Sequence, residues 1–284
     1  MDAEQNKTVI QRKGLKRNTI DKYYTKNIVV EQCIELVKKY VDIADNDLII
    51  EPSAGNGSFI EKIKTLSDNY VFYDVEPENE QIIRQDFLDF DYDEIKKLYR
   101  KIHIIGNPPF GRQSSSAIKF IKKCCEFADS ISFILPRSFK KESMKKHFTK
   151  NFHLVFETDL MEKSFLVNNI EYDVSCVFQI WEYKNEKRKE TKKIEPINFK
   201  FVRKNDNPDI SLRRVGINAG SITKEIDNKS FQSHYFIKFT NSKTVDDNIE
   251  KLKQAKFVPS NDTVGPKSIS KQELIDEFNK LLIN

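Results

Sequence analysis

Between residues 27 and 41, apolar side chains fall at Val30, Cys33, Ile34, Val37 and Val41. That is the three-and-four spacing of a helix with one buried face. The pattern then changes. Residues 47–50, 70–73, 102–105 and 130–135 are short segments that read, with their flanks, as nearly unbroken apolar runs, which predicts strands covered on both faces. Between the last two, Ala117, Phe120, Ile121, Cys124 and Ala128 form a second helical face over residues 116–128. Buried strands alternating with one-faced helices predict an α/β fold with a mostly parallel sheet covered on both sides.

Residues 154–157 and 174–182 read as two adjacent strands without a long helix between them, and the second alternates Val174, Cys176, Phe178 and Ile180 with its other face. An antiparallel hairpin closing the sheet is the expectation. The charged run from Tyr183 to Pro196 is the best boundary. Beyond it lie short strand signals at 198–202, 211–215 and 235–239. The last helix is announced by Ser270-Lys-Gln-Glu273, a capping-box pattern, and carries Leu274, Phe278 and Leu281 on one face. Three regions are expected: a flexible basic arm at 1–22, a catalytic domain at 23–184, and a small α+β region at 185–284.

Composition narrows the class of molecule. Of the 284 residues, 38% are hydrophobic and 32% charged, and no apolar run approaches a membrane span, so a soluble intracellular protein is expected. The amino terminus, MDAEQNKTVI, lacks the apolar core of a signal peptide. Cys33, Cys124, Cys125 and Cys176 form no CxxC pair, so they read as reduced core thiols, and no metal site is expected. A net charge of +5 permits nucleic-acid binding without demanding it.

Candidate chemistry concentrates in two stretches. Glu51-Pro-Ser-Ala-Gly55-Asn-Gly57-Ser-Phe59 joins a predicted strand to a helix start, where glycines let the chain bend and a ligand approach the backbone. About twenty residues on, Asp74 ends the next strand, the position from which an acid binds ribose hydroxyls in nucleotide-binding folds. The second stretch is Gly106-Asn107-Pro108-Pro109-Phe110-Gly111, directly after another buried strand. Consecutive prolines fix the backbone and remove amide donors. The Asn107 side-chain oxygen and the Pro108 carbonyl are left as rigid acceptors beside an aromatic ring. That arrangement suits a planar heterocycle bearing an exocyclic NH2. Only 8 glycines occur in the chain, yet Gly55, Gly57, Gly106 and Gly111 all fall in these two stretches, which makes coincidence a poor account.

The first stretch resembles the cofactor-binding motif of class I S-adenosylmethionine-dependent methyltransferases, and Asn107-Pro108-Pro109-Phe110 resembles their catalytic NPPF motif. Tyr23-Tyr24-Thr25-Lys26 resembles the further motif that precedes both in gamma-type N6-adenine DNA methyltransferases. The resemblance covers about residues 20–182. It implies a Rossmann-like fold with a seven-stranded sheet and a reversed last strand. It also implies S-adenosylmethionine as cofactor and adenine in DNA as substrate, with a cognate restriction endonuclease as the companion such enzymes can have. Tyr24, Thr25 and Lys26 would hold the methionine end of the cofactor, with Glu51, Ser53, Gly55 and Gly57 around it. Asp74 would bind the ribose, and Asp86 would sit near an adenine or its amine. Asn107 and Pro108 would accept the target amine's hydrogen bonds, with Pro109 stiffening the turn and Phe110 stacking on the base. Phe165 is a candidate second stacking ring or, equally, a core phenylalanine. In the last region Arg213, Arg214, His234 and Lys238 could meet phosphates and bases, or form an ordinary solvated face.

No covalent intermediate is required for this chemistry, and the chain has no Pro-Cys nucleophile of the kind that 5-methylcytosine formation uses. Three other readings share parts of the pattern. They are N6 methylation of adenine in RNA, including a capped messenger end, N5 methylation of a protein glutamine, and a non-catalytic nucleic-acid-binding subunit that keeps the fold.

Overall fold

The computed structural model describes residues 23–189, 193–257 and 268–283. The expected basic arm, 1–22, lies outside the described residues. The described chain opens with a two-residue strand, β1 (Tyr24–Thr25), and α1 (Asn27–Tyr40), which buries Val29, Val30, Cys33, Ile34 and Val37. Then come β2 (Leu48–Glu51), a single helical turn α2 (Ile60–Ile63), β3 (Tyr70–Asp74), β4 (Ile83–Arg84) and a second short turn α3 (Ile95–Leu98). They are followed by β5 (Ile102–Gly106), α4 (Ser115–Cys124), β6 (Ser130–Pro136) and α5 (Glu142–Lys145). The sheet is completed by β7 (Phe152–Asp159) and β10 (Cys176–Tyr183), with a small hairpin, β8 (Phe165–Val167) and β9 (Ile170–Tyr172), between them.

The main sheet has seven strands in the order β4-β3-β2-β5-β6-β10-β7. Its first five strands are parallel, and β10 runs antiparallel to both its neighbours. This is the Rossmann-like seven-stranded sheet that the resemblance implied, with one reversed strand. Period-two alternation sends Leu48 and Ile50 to one face of the sheet and Ile49 to the other, where they join separate hydrophobic clusters. One cluster packs under α4 through Ala117, Phe120 and Ile121, the other under α1.

The expected closing hairpin needs a correction. β7 and β10 are neighbours, but the chain between them makes the β8–β9 hairpin, which pairs back onto β1 through Tyr24 with Leu166 and Thr25 with Phe165. Strands of two or three residues leave no periodicity to read; tertiary pairing creates them.

At the amino ends of the central strands, a buried polar network ties three segments together. Asp47, fully buried, receives Arg100 Nε at 2.8 Å and Nη2 at 2.6 Å, and the Ala44 amide at 2.8 Å. His103 lies between Asp47 and Ser130, with contacts of 3.2 and 2.7 Å. Burial opposes ionisation of Asp47, but Arg100, Ala44 and His103 outweigh it and hold the carboxyl at about 2.

The last region forms its own four-stranded antiparallel sheet, β11 (Phe199–Phe201), β12 (Ile210–Arg213), β13 (Ile222–Thr223) and β14 (His234–Phe239), ordered β11-β14-β12-β13. Two helices cover it, α6 (Val245–Leu252) and α7 (Lys271–Leu282), and Leu274 and Phe278 of α7 are buried in its core. The expected capping box forms, with Ser270 and Glu273 bonded reciprocally. Ser268, just before α7, bridges to Val215 and meets Lys141 Nζ at 3.5 Å, which ties this region to the segment following β6. Among the described residues no helix is long and apolar enough to cross a membrane.

Candidate active site

A parallel sheet presents its strand carboxyl ends, and the loops after them, to ligands. Here the ends of β2, β3 and β5 meet in one pocket. After β2 the chain turns through Gly55 and Gly57, at φ +56° and +86°, a left-handed course that glycine adopts without strain. Glu51, Ser53 and Gly55 line the pocket from this loop, and Asp74 lines it from the end of β3. Asp74 braces the turn: Gly55 N–H donates to one carboxyl oxygen and Glu76 N–H to the other, both at 2.8 Å. Tyr24 and Thr25 enter from β1, and Tyr24 Oη donates to Glu78 at 2.6 Å.

Asn107, Pro108, Pro109 and Phe110 complete the lining after β5. Ser53 Oγ donates to the Asn107 carbonyl at 3.2 Å. The Asn107 Nδ2 donates to the Tyr23 carbonyl at 3.2 Å and to Thr25 Oγ1 at 3.3 Å. Because a carbonyl can only accept, Tyr23 determines which side of the amide is nitrogen. The Phe110 ring lies 6.5 Å from that of Tyr23, at 20°.

Three buried side-chain oxygens have no hydrogen-bond partner among the described residues, and two are in this pocket: Glu51 Oε2 and Asn107 Oδ1. Buried polar atoms are normally paired, so two orphans in one cleft call for a ligand that supplies donors. Burial, and secondly the charge of Asp74, push the Glu51 carboxyl well above its ordinary value. Gly106 makes room for it, since a Cβ there would approach Glu51 Cγ to 3.1 Å.

Three expected cofactor residues stand outside the lining. Lys26 caps α1 and pairs with Glu171 at 2.6 Å. Gly57 shapes the turn without reaching the cleft. Asp86 accepts the Leu88 amide at 2.9 Å to cap a short 3-10 turn, and its neighbours Gln85 and Phe87 line the pocket instead. Phe165 resolves as core: it is fully buried, edge-on to Tyr23 at 6.2 Å, with no face open to a base. The aromatic that accompanies Phe110 is Tyr23, and its place at the head of the Tyr23-Tyr24-Thr25-Lys26 stretch is the signal for it in the sequence.

Of the other four expected nucleic-acid residues, Arg213, His234 and Lys238 lie in the small sheet and Arg214 directly follows β12. Arg213 pairs across strands with His234 and donates from Nε to the Val215 carbonyl at 3.1 Å. Arg214 lies 5.3 Å from the centre of the Tyr235 ring. His234 is held below its usual range, chiefly by burial, and Lys238 lines a separate groove.

A family model described as the EDM2 methyltransferase-like domain matches residues 43–200, more than half of the chain. The chain belongs to this family. The matched span of the EDM2 methyltransferase-like domain contains both motif stretches, and the protein is a methyltransferase whose cofactor is S-adenosylmethionine. No curated protein matches the sequence. Among solved structures, PH1948 from Pyrococcus horikoshii is 17% identical, with 60% of this chain and 92% of that one covered at a TM-score of 0.45. The 23S rRNA methyltransferase ErmE is 12% identical, covering 59% and 72% at 0.42. The N-methyltransferase NodS from Bradyrhizobium japonicum WM9 is 14% identical, covering 54% and 93% at a TM-score of 0.36.

Proposed function

We propose that this methyltransferase methylates the exocyclic N6 of adenine in DNA, with residues 23–184 as the catalytic unit and 185–284 as the substrate-recognition region. The observation that carries this reading is the fixed orientation of Asn107. Its NH2 is spent on Tyr23 and Thr25, and its Oδ1 is buried without a donor. An amine with two N–H groups satisfies that oxygen, and the Pro108 carbonyl, held rigid by Pro109, takes the second N–H.

The amine lone pair of adenine is delocalised into the ring and is a poor nucleophile. Holding both N–H groups in fixed acceptors draws the nitrogen out of conjugation and directs its lone pair. Catalysis is then positioning and preorganised dipoles. When bound, S-adenosylmethionine would supply the electrophilic methyl group, with S-adenosylhomocysteine as the leaving group and the proton displaced from N6 passing to water. Glu51 offers a carboxylate to the cationic amino-acid end of that cofactor, beside Tyr24, Thr25 and Ser53. Asp74 keeps lone pairs for ribose hydroxyls while bracing Gly55. Phe110, with Tyr23 beside it, offers a stacking platform for a base that a duplex must flip out.

The test is single-turnover transfer of labelled methyl to an adenine-containing duplex, a single strand and RNA, followed by mass spectrometry of the nucleosides. Asn107→Ala should slow the chemical step by about 10²–10³, comparable to losing one preorganised donor in an oxyanion site. Cofactor affinity should stay unchanged. If Asn107→Ala transfers at the parental rate, the amine-acceptor reading is wrong. N6-methyladenine formed in RNA alone would move the substrate from DNA to RNA.

A further inference from the structure

Many cations of this protein stand beside a carboxylate. Lys26, Lys62, Lys64, Lys97, Lys145 and Arg100 each stand within 4.0 Å of a carboxylate, and so do many others. One groove gathers several that do not. It wraps the edge of the small sheet at β11 and is lined by Lys200, Arg203, Lys238 and Lys271, together with Phe201. None of these four cations has an ion pair among the described residues. The one carboxylate in the groove, Asp206, accepts the Arg203 backbone amide at 3.1 Å.

Lys200 and Lys238 are directly opposed across the antiparallel pair β11–β14, so their side chains share one face of the sheet. Like charges directly opposite each other destabilise a sheet. Lys271 adds a third cation, with Nζ 4.8 Å from the centre of the half-buried Phe201 ring. Folding therefore gathers four cations around the Phe201 ring with Asp206 as the one acid among them, a charge excess that a bound polyanion offsets. The groove also has a direction. Lys271 follows Ser268 by three residues, and Ser268 meets Lys141, in the segment leaving the carboxyl end of β6. The carboxyl ends of the strands are also where the pocket lies.

We propose that this groove binds the phosphodiester backbone of the polynucleotide substrate, with Lys200, Arg203, Lys238 and Lys271 as phosphate contacts. The inference rests on the reading of the enzyme as a nucleic-acid methyltransferase. It differs from the sequence expectation in its residues: Lys238 is retained, while Arg213 and Arg214 are engaged with Val215 and Tyr235. Phosphate contacts are read through salt dependence, because each neutralised phosphate releases counterions.

The experiment measures binding of the full chain to fluorescent 20-nucleotide DNA duplex, single-stranded DNA and RNA across a salt series. The double variant Arg203→Gln with Lys238→Gln is compared with the parent. The log–log salt slope should fall by roughly 1.4–1.8, two contacts at about 0.7–0.9 each, and affinity near 0.1 M salt should drop about tenfold or more. Affinity for S-adenosylmethionine should not move, which shows that the fold is intact. The oligonucleotide with the larger change in slope identifies the polymer that the groove fits. An unchanged slope, or a parent that binds none of the three at low salt, overturns the proposal. Oligonucleotide binding that depends on the groove, with no methylated adenine in any product, leaves the groove standing and removes the amine-acceptor reading instead.

Discussion

Asp47 and Glu51 bracket the same central strand, four residues apart, and both are shut off from solvent, at 0% and 2% exposure. They are treated in opposite ways. Asp47, at the amino end, has every partner it can use and is held strongly ionised. Glu51, at the carboxyl end, has an oxygen without a partner and a carboxyl that resists ionisation. One end of the sheet is closed, and the other carries the unmet acceptors of the pocket. The difference teaches where to look for function in a buried core: a satisfied polar group reports stability, and an orphaned one reports binding.

The sharpest way to break this comparison is at Asn107, the second orphan. Beyond its effect on rate, Asn107→Ala should leave the melting temperature within a few degrees of the parent, because losing two amide bonds is offset by removing an unmet acceptor. A large fall measured by calorimetry would make Asn107 structural rather than catalytic.

Asp47→Asn should do the reverse. It loses the bidentate, charge-assisted contact with Arg100 and should cost about 2–3 kcal/mol of unfolding free energy, with cofactor affinity intact. The same network sets an acid limit. The folded carboxyl sits at about 2, below its unfolded value, so its stabilisation is present above roughly pH 4 and is lost as pH falls toward 2. His103, kept below its ordinary value chiefly by burial, acts in the same direction from higher pH, since unfolding lets it take up a proton. Denaturant titrations at a series of pH values should show this slope in the parent and a shallower one in Asp47→Asn.

Glu51→Gln tests the open end. A neutral amide resembles a carboxyl that burial already disfavours ionising, so stability should barely change. The charge that would meet the cofactor is gone, and affinity for S-adenosylmethionine should fall about tenfold to a hundredfold, the worth of one charge-assisted hydrogen bond. Calorimetric titration that finds equal affinities would place the cofactor's amino-acid end elsewhere.

The smallest expected effect is at Thr25, whose hydroxyl helps to hold the Asn107 amide. Thr25→Val should lower kcat by about fivefold, near 1 kcal/mol for one neutral hydrogen bond, with KM little changed. Thr25→Ser should restore it. Failure of serine to rescue would mean that packing, not the hydroxyl, is what matters there.

The long strands were legible because runs such as Leu48–Glu51 and Ser130–Pro136 are buried on both faces and leave a mostly apolar record. The two motif stretches were legible because glycine and proline are scarce and their positions constrain the backbone. What escaped depended on contacts between distant segments. β1 exists only because β8 pairs with it, and the same pairing buries Phe165, which composition could equally have put against a base. Asp86 missed the cleft by one position, because its carboxyl turns back to cap the 3-10 turn Phe87–Asp89 while Gln85 and Phe87 on either side line the pocket. The unmet oxygens of Glu51 and Asn107 could not be foreseen at all, since lacking a partner is a property of the assembled site.

The thread that orients Asn107 comes from Tyr23 and Thr25, more than eighty residues away in sequence, through a strand of two residues. Such a contact has a high entropic cost of loop closure and little local reinforcement, so it forms late and opens first. Hydrogen exchange at the Thr25 and Lys26 amides should therefore be faster than in the central strands. In each such opening the Asn107 amide is free to turn, and the enzyme idles with its sheet intact.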